Sequence, residues 1–188
     1  MILKKLMIKL KSIKSIILII LIFLTTNCSK NSDMKPEDFK NKEPRLIIEN
    51  YLSGNVKAWG VLQNRSGKVT RQFSADLNGK WDGRKLILDE KFNWDDGEIQ
   101  TRQWQITKLD DNNYEGTAGD VVGKAKGYSY GPAFKFEYVL LVPVKGKEMK
   151  ITFDDWIFKQ DDRVAINRAT MTKFGLKVAE LTVVFVKD

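Results

Sequence analysis

The sequence predicts a mainly β protein, an antiparallel meander of about ten strands that forms a lipocalin-like (calycin-type) barrel or a strongly curved sheet. Apolar and polar residues alternate with period two through most of the chain after Ser53, as in strands that bury one face. Turn-forming pairs, including Asn78-Gly79, Asp82-Gly83 and Asp96-Gly97, recur at short intervals. We expect the meander to close on itself, because closure removes exposed strand edges.

The first 27 residues have the composition of a secretory leader. They hold five lysines and no acidic residue, and the nine apolar residues 16–24 follow the lysines. About twenty apolar residues are needed to span a bilayer, so this run is typical of the apolar region of a signal peptide.

Cys28, the only cysteine of the chain, stands directly after this leader. The arrangement looks like a bacterial lipoprotein signal, in which the cysteine is acylated and becomes the first residue. Leu24 is one place too far back for the usual pattern, and Asn27 stands where a small residue is usual. A plain cleaved signal and an uncleaved anchor are the alternatives. We expect a lipid-anchored protein of the bacterial cell envelope that faces the periplasm, most simply on the outer membrane.

The rest of the chain divides into a tether and one domain. Residues 28–43 are polar and predict a flexible tether, and residues 44–188 form the barrel domain, which starts with a short helical lead-in over residues 44–52. The predicted strand segments, two of which contain internal turns, are 55–63, 69–77, 80–94, 98–109, 114–130, 133–144, 148–159, 164–172 and 176–187.

Four stretches, residues 51–73, 79–106, 114–127 and 153–175, resemble the domain-of-unknown-function family 3833. They include "YLSGNVKAWGVLQNRSGKVTRQF" and "FDDWIFKQDDRVAINRATMTKFG". The resemblance covers most of the chain after the tether. It implies an envelope lipoprotein with a lipocalin-like β domain, and it brings no activity and no catalytic residues.

Composition excludes several kinds of chemistry. The chain has no histidine, so imidazole-based catalysis and histidine zinc sites are absent. The formal net charge of +8 includes the five leader lysines, and the remainder has 27 cations against 24 acids, a net charge of +3. This balance does not indicate a nucleic-acid partner.

Two stretches that could suggest a phosphate or metal site do not match the known motifs. The glycine-rich residues 116–127 depart from a phosphate-binding loop, and the spacing of Asp154, Asp155, Asp161 and Asp162 does not match a calcium loop. We expect no cofactor and no metal, and the sequence identifies no protein partner.

Charged residues interrupt the apolar strand faces, since Arg71, Glu90, Arg102 and Arg168 each stand two residues from apolar neighbours. Such charges need a partner or water when they are buried. In one arrangement the arginines pair with Glu90, Asp120 or Asp155 in a structural network. In the other they line a wet cavity and bind an anionic head group. The structural network is favoured, with Arg71 the more structural and Arg102 the more exposed to a ligand.

The candidate ligand-binding residues combine these charges with aromatic residues of the strands. They are Arg71, Glu90, Phe92, Arg102, Trp104, Tyr138, Trp156 and Arg168. Trp81 and Phe136 belong to the same predicted apolar wall.

Three functions remain open. The favoured one is a non-catalytic binder of a small amphipathic or lipid ligand. A filled barrel with a structural or scaffolding role is the first alternative, and an enzyme that uses Glu90 and Asp155 as acid and base is the second. A cavity of about 300 Å³ or more would separate the binder from the filled barrel.

Overall fold

The computed structural model describes residues 34–144 and 146–188. The leader, Cys28 and the first part of the tether lie outside these ranges. Residues Lys35–Asp188 form one unit, whose ten strands follow in chain order. They are β1 (Gly54–Asn64), β2 (Val69–Trp81), β3 (Lys85–Trp94), β4 (Ile99–Lys108), β5 (Asn113–Thr117), β6 (Ala125–Tyr130), β7 (Ala133–Val144), β8 (Lys147–Lys159), β9 (Val164–Lys173) and β10 (Leu176–Lys187).

The ten strands form a closed antiparallel barrel. Each strand pairs with its neighbours in sequence, and β1 pairs with β10, where Val56 lies opposite Lys187. Closure follows from the period-two pattern, because each strand has at least one apolar face and the closed sheet turns such a face of every strand inward. The predicted barrel, antiparallel order and strand number are confirmed.

Two of the three predicted turns are confirmed. Gly83 and Gly97 have φ values of +97° and +86° in the β2–β3 and β3–β4 hairpins, a conformation that glycine adopts without strain. The pair Asn78-Gly79 does not form a turn but lies inside β2. Gly79 serves close packing, since a Cβ atom there would lie 1.9 Å from the carbonyl oxygen of Leu52.

The lead-in residues close one end of the barrel. They contain one short helix, α1 (Ile48–Tyr51), and Leu46, Ile48, Tyr51 and Leu52 are buried. The Tyr51 hydroxyl donates to the carbonyl oxygen of Arg163 at 2.9 Å. The Leu46 amide donates to the Gly131 carbonyl oxygen at 2.7 Å. These bonds tie the segment to the strand ends around it.

Glu49 of α1 is a buried carboxylate with two partners. It accepts from the Lys108 ammonium at 2.7 Å and from the Tyr114 hydroxyl at 2.9 Å. Burial acts to raise the pKa of Glu49, but these bonds, with one from its own backbone, lower it overall. The closed end therefore holds an ionised carboxylate that is satisfied by hydrogen bonds.

The segment predicted as a tether contains a short 3₁₀ helix (Pro36–Phe39). Phe39 packs on the outer face of the barrel, with ring centroids 6.0 Å from Trp156 and 5.5 Å from Phe158. Within the described ranges, no helix is long and apolar enough to cross a bilayer.

Candidate ligand-binding site

The barrel encloses a cavity of about 930 Å³. It extends from Leu52 of the closed end to Leu62, Glu98 and Pro143 at the opposite, open end. Nine aromatic side chains from several strands contribute to its wall, namely Phe73, Phe92, Trp94, Trp104, Phe134, Phe136, Tyr138, Phe153 and Phe185. The rings pack on one another, and Trp104 lies 5.0 Å from Phe136 and 5.3 Å from Tyr138 between centroids.

An inward-facing glycine makes room for one of these rings. A Cβ atom on Gly116 would lie 2.4 Å from the ring of Phe136. Gly116 belongs to the glycine-rich stretch, whose next part returns along β7. There the Leu141 amide donates to the carbonyl oxygen of Asp120 at 2.9 Å, and the Val122 amide donates to the Val139 carbonyl oxygen at 2.8 Å. This segment carries Asp120 into the cavity wall.

Arg102 of β4 forms the centre of the charged part of the wall. Its guanidinium donates to Asp120 from Nη2 at 2.8 Å and from Nε at 3.0 Å. Burial acts to lower the pKa of Arg102, but the charge of Glu90 and the bonds to Asp120 raise it overall. Two parallel donors on one carboxylate make a strong, oriented ion pair, so Arg102 stays charged.

Glu90 of β3 lies directly across the strand pair from Arg102. Its Oε2 is 3.7 Å from Nη1 of Arg102, too long for a hydrogen bond. Among the residues that the structure describes, this buried oxygen has no hydrogen-bond partner. Burial raises the pKa of Glu90 to about 7, and the neighbouring charge of Arg102 opposes this rise.

Asp155 of β8 is the second carboxylate deep in the cavity. It accepts from the Tyr138 hydroxyl at 2.9 Å and from the side-chain amide of Asn167. Burial raises the pKa of Asp155 to about 6, against the effect of these two bonds. Burial also raises the pKa of Tyr138 well above its usual value, so the tyrosine remains a donor.

Arg71 of β2 lies at the open end of the cavity. Its Nη2 donates to Asp96 and to Glu98, each at 2.8 Å. The guanidinium carbon is 4.0 Å from the centroid of the Trp94 ring. The expected pairing of Arg71 with Glu90 in a dry network is therefore wrong, and Arg71 belongs to a cluster at the mouth.

Six of the eight candidate residues line the cavity: Arg71, Glu90, Phe92, Arg102, Trp104 and Tyr138.

Trp156 and Arg168 lie on the outer face of the barrel, which corrects both assignments. On β8 the odd-numbered residues Phe153, Asp155 and Ile157 face inward. Trp156, between Asp155 and Ile157, must therefore face outward, where it lies under Phe39. Arg168 is likewise next to the inward-facing Asn167, and it pairs with Glu180. Trp81 packs against the buried core and is not part of the cavity wall.

Sequence reasoning missed Asn167. The residue is only 3% exposed, and it stands two residues from each of the buried Ala165 and Ala169. An amide on a face otherwise made of small apolar residues was the available signal, since a buried amide needs partners.

Fold and site together define a small closed β-barrel with a ligand-sized interior. The chain belongs to the family described as a protein of unknown function (DUF3833), whose model matches residues 22–187. The family resemblance predicted from the sequence is thereby confirmed. A search among curated proteins finds no match.

Two solved structures show a similar fold. One is a protein of unknown function of the DUF3598 family from Nostoc punctiforme, with a TM-score of 0.58 and 16% identity over 78% of this chain. This chain spans about half of that protein, 51% of its length. The other is an S-type phycobiliprotein lyase from Guillardia theta, with a TM-score of 0.56, 9% identity and coverage of 83% of this chain and 94% of the lyase.

Proposed function

We propose that this protein is a non-catalytic binder that holds one small amphipathic or lipid-like ligand inside its barrel. The observation that carries the proposal is the cavity of about 930 Å³, within the range of about 300–1,000 Å³ that is usual for ligand sites. Its aromatic wall suits an apolar tail. An empty volume of this size argues against the filled-barrel alternative.

The charges of the cavity favour a ligand without an anionic head group. Two cations, Arg71 and Arg102, and four acids, Glu90, Glu98, Asp120 and Asp155, line it. Both arginines are already paired with carboxylates. A carboxylate or phosphate head group would therefore meet net negative charge. Nε of Arg71 also lacks a hydrogen-bond partner among the described residues, but the charge of this guanidinium is already balanced by Asp96 and Glu98. We therefore propose a neutral or cationic head group in place of the anionic one considered from the sequence.

Glu90 supports a ligand with a donor group. Its buried oxygen lacks a hydrogen-bond partner in the described part of the chain, and an unsatisfied buried acceptor costs about 1–3 kcal/mol. An amine, hydroxyl or amide of the ligand would remove that cost once the Glu90 side chain turns this oxygen toward the ligand. A cationic amine fits best, because it would also balance the surplus of acidic charge.

The phycobiliprotein lyase offers a precedent for the barrel and not for the chemistry. At 9% identity the likeness establishes the fold alone. The proposal therefore depends on the cavity of this chain.

Binding of Nile red, a neutral apolar dye, to the full chain purified from its own membrane tests the site. Ala118 lines the cavity, and Thr152 is exposed on β8 outside it. We expect wild type and Thr152→Phe to bind one dye with equal affinity and Ala118→Phe to bind at least tenfold more weakly. Absence of binding to wild type, or equal binding by all three proteins, would overturn the proposal.

The head group is tested by competition against the dye. A long-chain alkyl amine should displace Nile red at a concentration at least tenfold lower than a fatty acid of equal chain length. Glu90→Gln should remove most of this preference while dye binding persists. If the fatty acid competes better than the amine, the assigned polarity is wrong even though the cavity binds ligands.

A carboxylate-dependent enzyme is the second candidate, favoured by one observation. Glu90, with a pKa of about 7, and Asp155, with a pKa of about 6, face one cavity, and such values suit acid–base chemistry near neutral pH. Native mass spectrometry of the co-purified ligand distinguishes the two functions. An enzyme would accumulate a different ligand species in Glu90→Gln or Asp155→Asn than in wild type, whereas a binder would retain the same one.

The location of the protein is a proposal that depends on its leader. Acylation of Cys28 after removal of residues 1–27 would anchor the barrel to the envelope, facing the periplasm and sorted to the outer membrane. Cys28→Ser should abolish incorporation of labelled palmitate and change membrane fractionation. Unchanged labelling would exclude Cys28 as the acylated residue.

A further inference from the structure

The open end of the barrel exposes apolar side chains at its hairpin tips. Phe174 and Leu176 of the β9–β10 hairpin are 93% and 72% exposed, and Val69 and Val144, at the β1–β2 and β7–β8 tips, are 44% and 38% exposed. A single exposed apolar residue needs no explanation. Several of them around one opening mark an interaction surface.

Phe174 also occupies a backbone position that favours other residues. The φ values of Phe174 and Gly175 are +51° and +77°, as in the two-residue hairpin turn that prefers Asn-Gly or Asp-Gly. A bulky side chain in this conformation is strained. The strain is not offset by packing, because the ring is almost completely exposed. A function of the ring outside the barrel would explain both features.

Cationic side chains surround these tips. The hairpins β7–β8, β9–β10 and β1–β2 are neighbours in the barrel. Within residues 65–70, 147–150 and 173–177 they carry the cations Arg65, Lys68, Lys147, Lys150, Lys173 and Lys177 and one acid, Glu148. Lys177 is paired with Glu180, which lies outside these segments, so the other five cations carry the electrostatic argument. We name these three segments with Val144 the basic rim. The β3–β4 hairpin differs, since it carries Asp95, Asp96 and Glu98.

We propose that the basic rim docks on an anionic bilayer surface, with its apolar tips among the head groups and its cations against lipid phosphates. Exposed apolar residues flanked by lysine and arginine are the combination that binds such surfaces. Lys173 already lies near the ring of Phe174, with its ammonium 5.2 Å from the centroid, so insertion of the ring brings a cation to the head groups.

Docking in this orientation would place the cavity mouth at the membrane. Val142 and Met171 line the cavity, and each is followed within three residues by an exposed tip residue, Val144 or Phe174. An amphipathic ligand could then pass between bilayer and barrel without crossing bulk water. The docking surface does not depend on the ligand, so it can be tested without one.

The test uses the full chain, purified from its own membrane and reconstituted in phosphatidylglycerol vesicles with nitroxide-labelled lipid. A fluorophore is attached to a cysteine introduced at Leu176 of the basic rim or at Ile99 of the acidic β3–β4 hairpin. Ile99 is the matched control, because it is 64% exposed at the same end of the barrel. Unmodified protein carried through the same labelling corrects for Cys28.

We expect nitroxide quenching at residue 176 to exceed that at residue 99 at least threefold, and to fall in pure phosphatidylcholine vesicles. Phe174→Asn should halve the quenching at residue 176. It should also raise the melting temperature, because asparagine suits the positive φ of this turn position. A more stable variant with weaker quenching would show that the loss of docking does not come from misfolding. Equal quenching at the two positions, quenching independent of anionic lipid, or no effect of Phe174→Asn would each overturn the proposal. Cross-linking of the rim to a protein without quenching would overturn it in favour of a protein partner.

Discussion

Gly79 of β2 packs directly against the backbone of Leu52, so that a Cβ atom on Gly79 would lie 1.9 Å from the Leu52 carbonyl oxygen. The contact fixes the lead-in segment over the closed end of the barrel. Because the obstacle is backbone, it cannot move by changing a rotamer. The glycine is thus required by packing, since its φ is not in the left-handed region.

Gly79→Ala should therefore destabilise the protein by about 3 kcal/mol or more, as overpacking against a rigid neighbour does. Gly119→Ala is the matched control, because a Cβ atom on Gly119 meets nothing within 4 Å. That change should be neutral or slightly stabilising. Urea unfolding of the two variants measures the difference, and equal midpoints would contradict the packing role of Gly79.

The same glycine shows where sequence reasoning about the fold reached its limit. Period-two alternation predicted the strands, and the pairs Asp82-Gly83 and Asp96-Gly97 predicted two hairpin turns. These predictions were possible because both signals depend only on residues that are close in sequence. Asn78-Gly79 carries the same local signal as a turn, but β2 continues through it. The reason lies in the Leu52 backbone, more than twenty residues away in sequence, which no local pattern contains.

The candidate site was predictable to the same extent. Alternation correctly placed Glu90 and Arg102 inside the barrel, since their strands have only one apolar face. β8 is apolar on both faces around Trp156, so its inward side could not be chosen without the register to β7, where Asp155 lies opposite Phe136. The partner of Arg102 among the possible carboxylates was decided by the return of the glycine-rich segment along β7, which is tertiary structure.

Glu90 should make the stability of the protein depend on pH. Its pKa is raised from an ordinary value of 4.5 to about 7 in the folded chain. The folded state therefore holds a proton that the unfolded state releases, so this contribution is complete below pH 4.5 and is lost as the pH rises through 7. The full shift corresponds to a free energy on the order of 3 kcal/mol.

Glu90→Gln should accordingly be more stable than wild type at pH 8 and about equal to it at pH 4.5. Thermal melts of both proteins across this range measure the difference, because the contributions of groups that do not interact with Glu90 cancel in the comparison. A difference that does not change with pH would mean that Glu90 does not titrate between 4.5 and 7.

Arg102 and Arg71 should differ in their contribution to stability. Arg102→Met removes the cation beside Glu90 and strands Asp120, whose side chain is 30% exposed. Cavity water would solvate part of that charge, so we expect a loss of roughly 2 kcal/mol, below the 3–5 kcal/mol that breaking a dry pair costs. Arg71→Met leaves Asp96 and Glu98 without their cation, but each of these side chains is 53% exposed and is solvated by water. We therefore expect a loss of stability below about 1 kcal/mol.

Urea unfolding of these two variants, with the double variant Arg102→Met/Asp120→Asn, tests this order. Because the double variant removes the stranded charge, it should recover part of the stability that Arg102→Met loses. A larger loss at Arg71 than at Arg102 would instead support tight structural packing of Arg71.

Trp104 and Trp156 form a pair that separates ligand binding from stability. Both are buried, at 5% and 6% exposure, but Trp104 lines the cavity, whereas Trp156 packs outside it beneath Phe39. Trp104→Ala removes part of the apolar wall, so Nile red should bind at least tenfold more weakly. Trp156→Ala should leave dye affinity within twofold of wild type and destabilise the protein by about 3–5 kcal/mol, as large core truncations do. Dye titrations of both variants, carried out well below their melting temperatures, decide the matter. A loss of dye binding in Trp156→Ala without a loss of stability would return Trp156 to the ligand site.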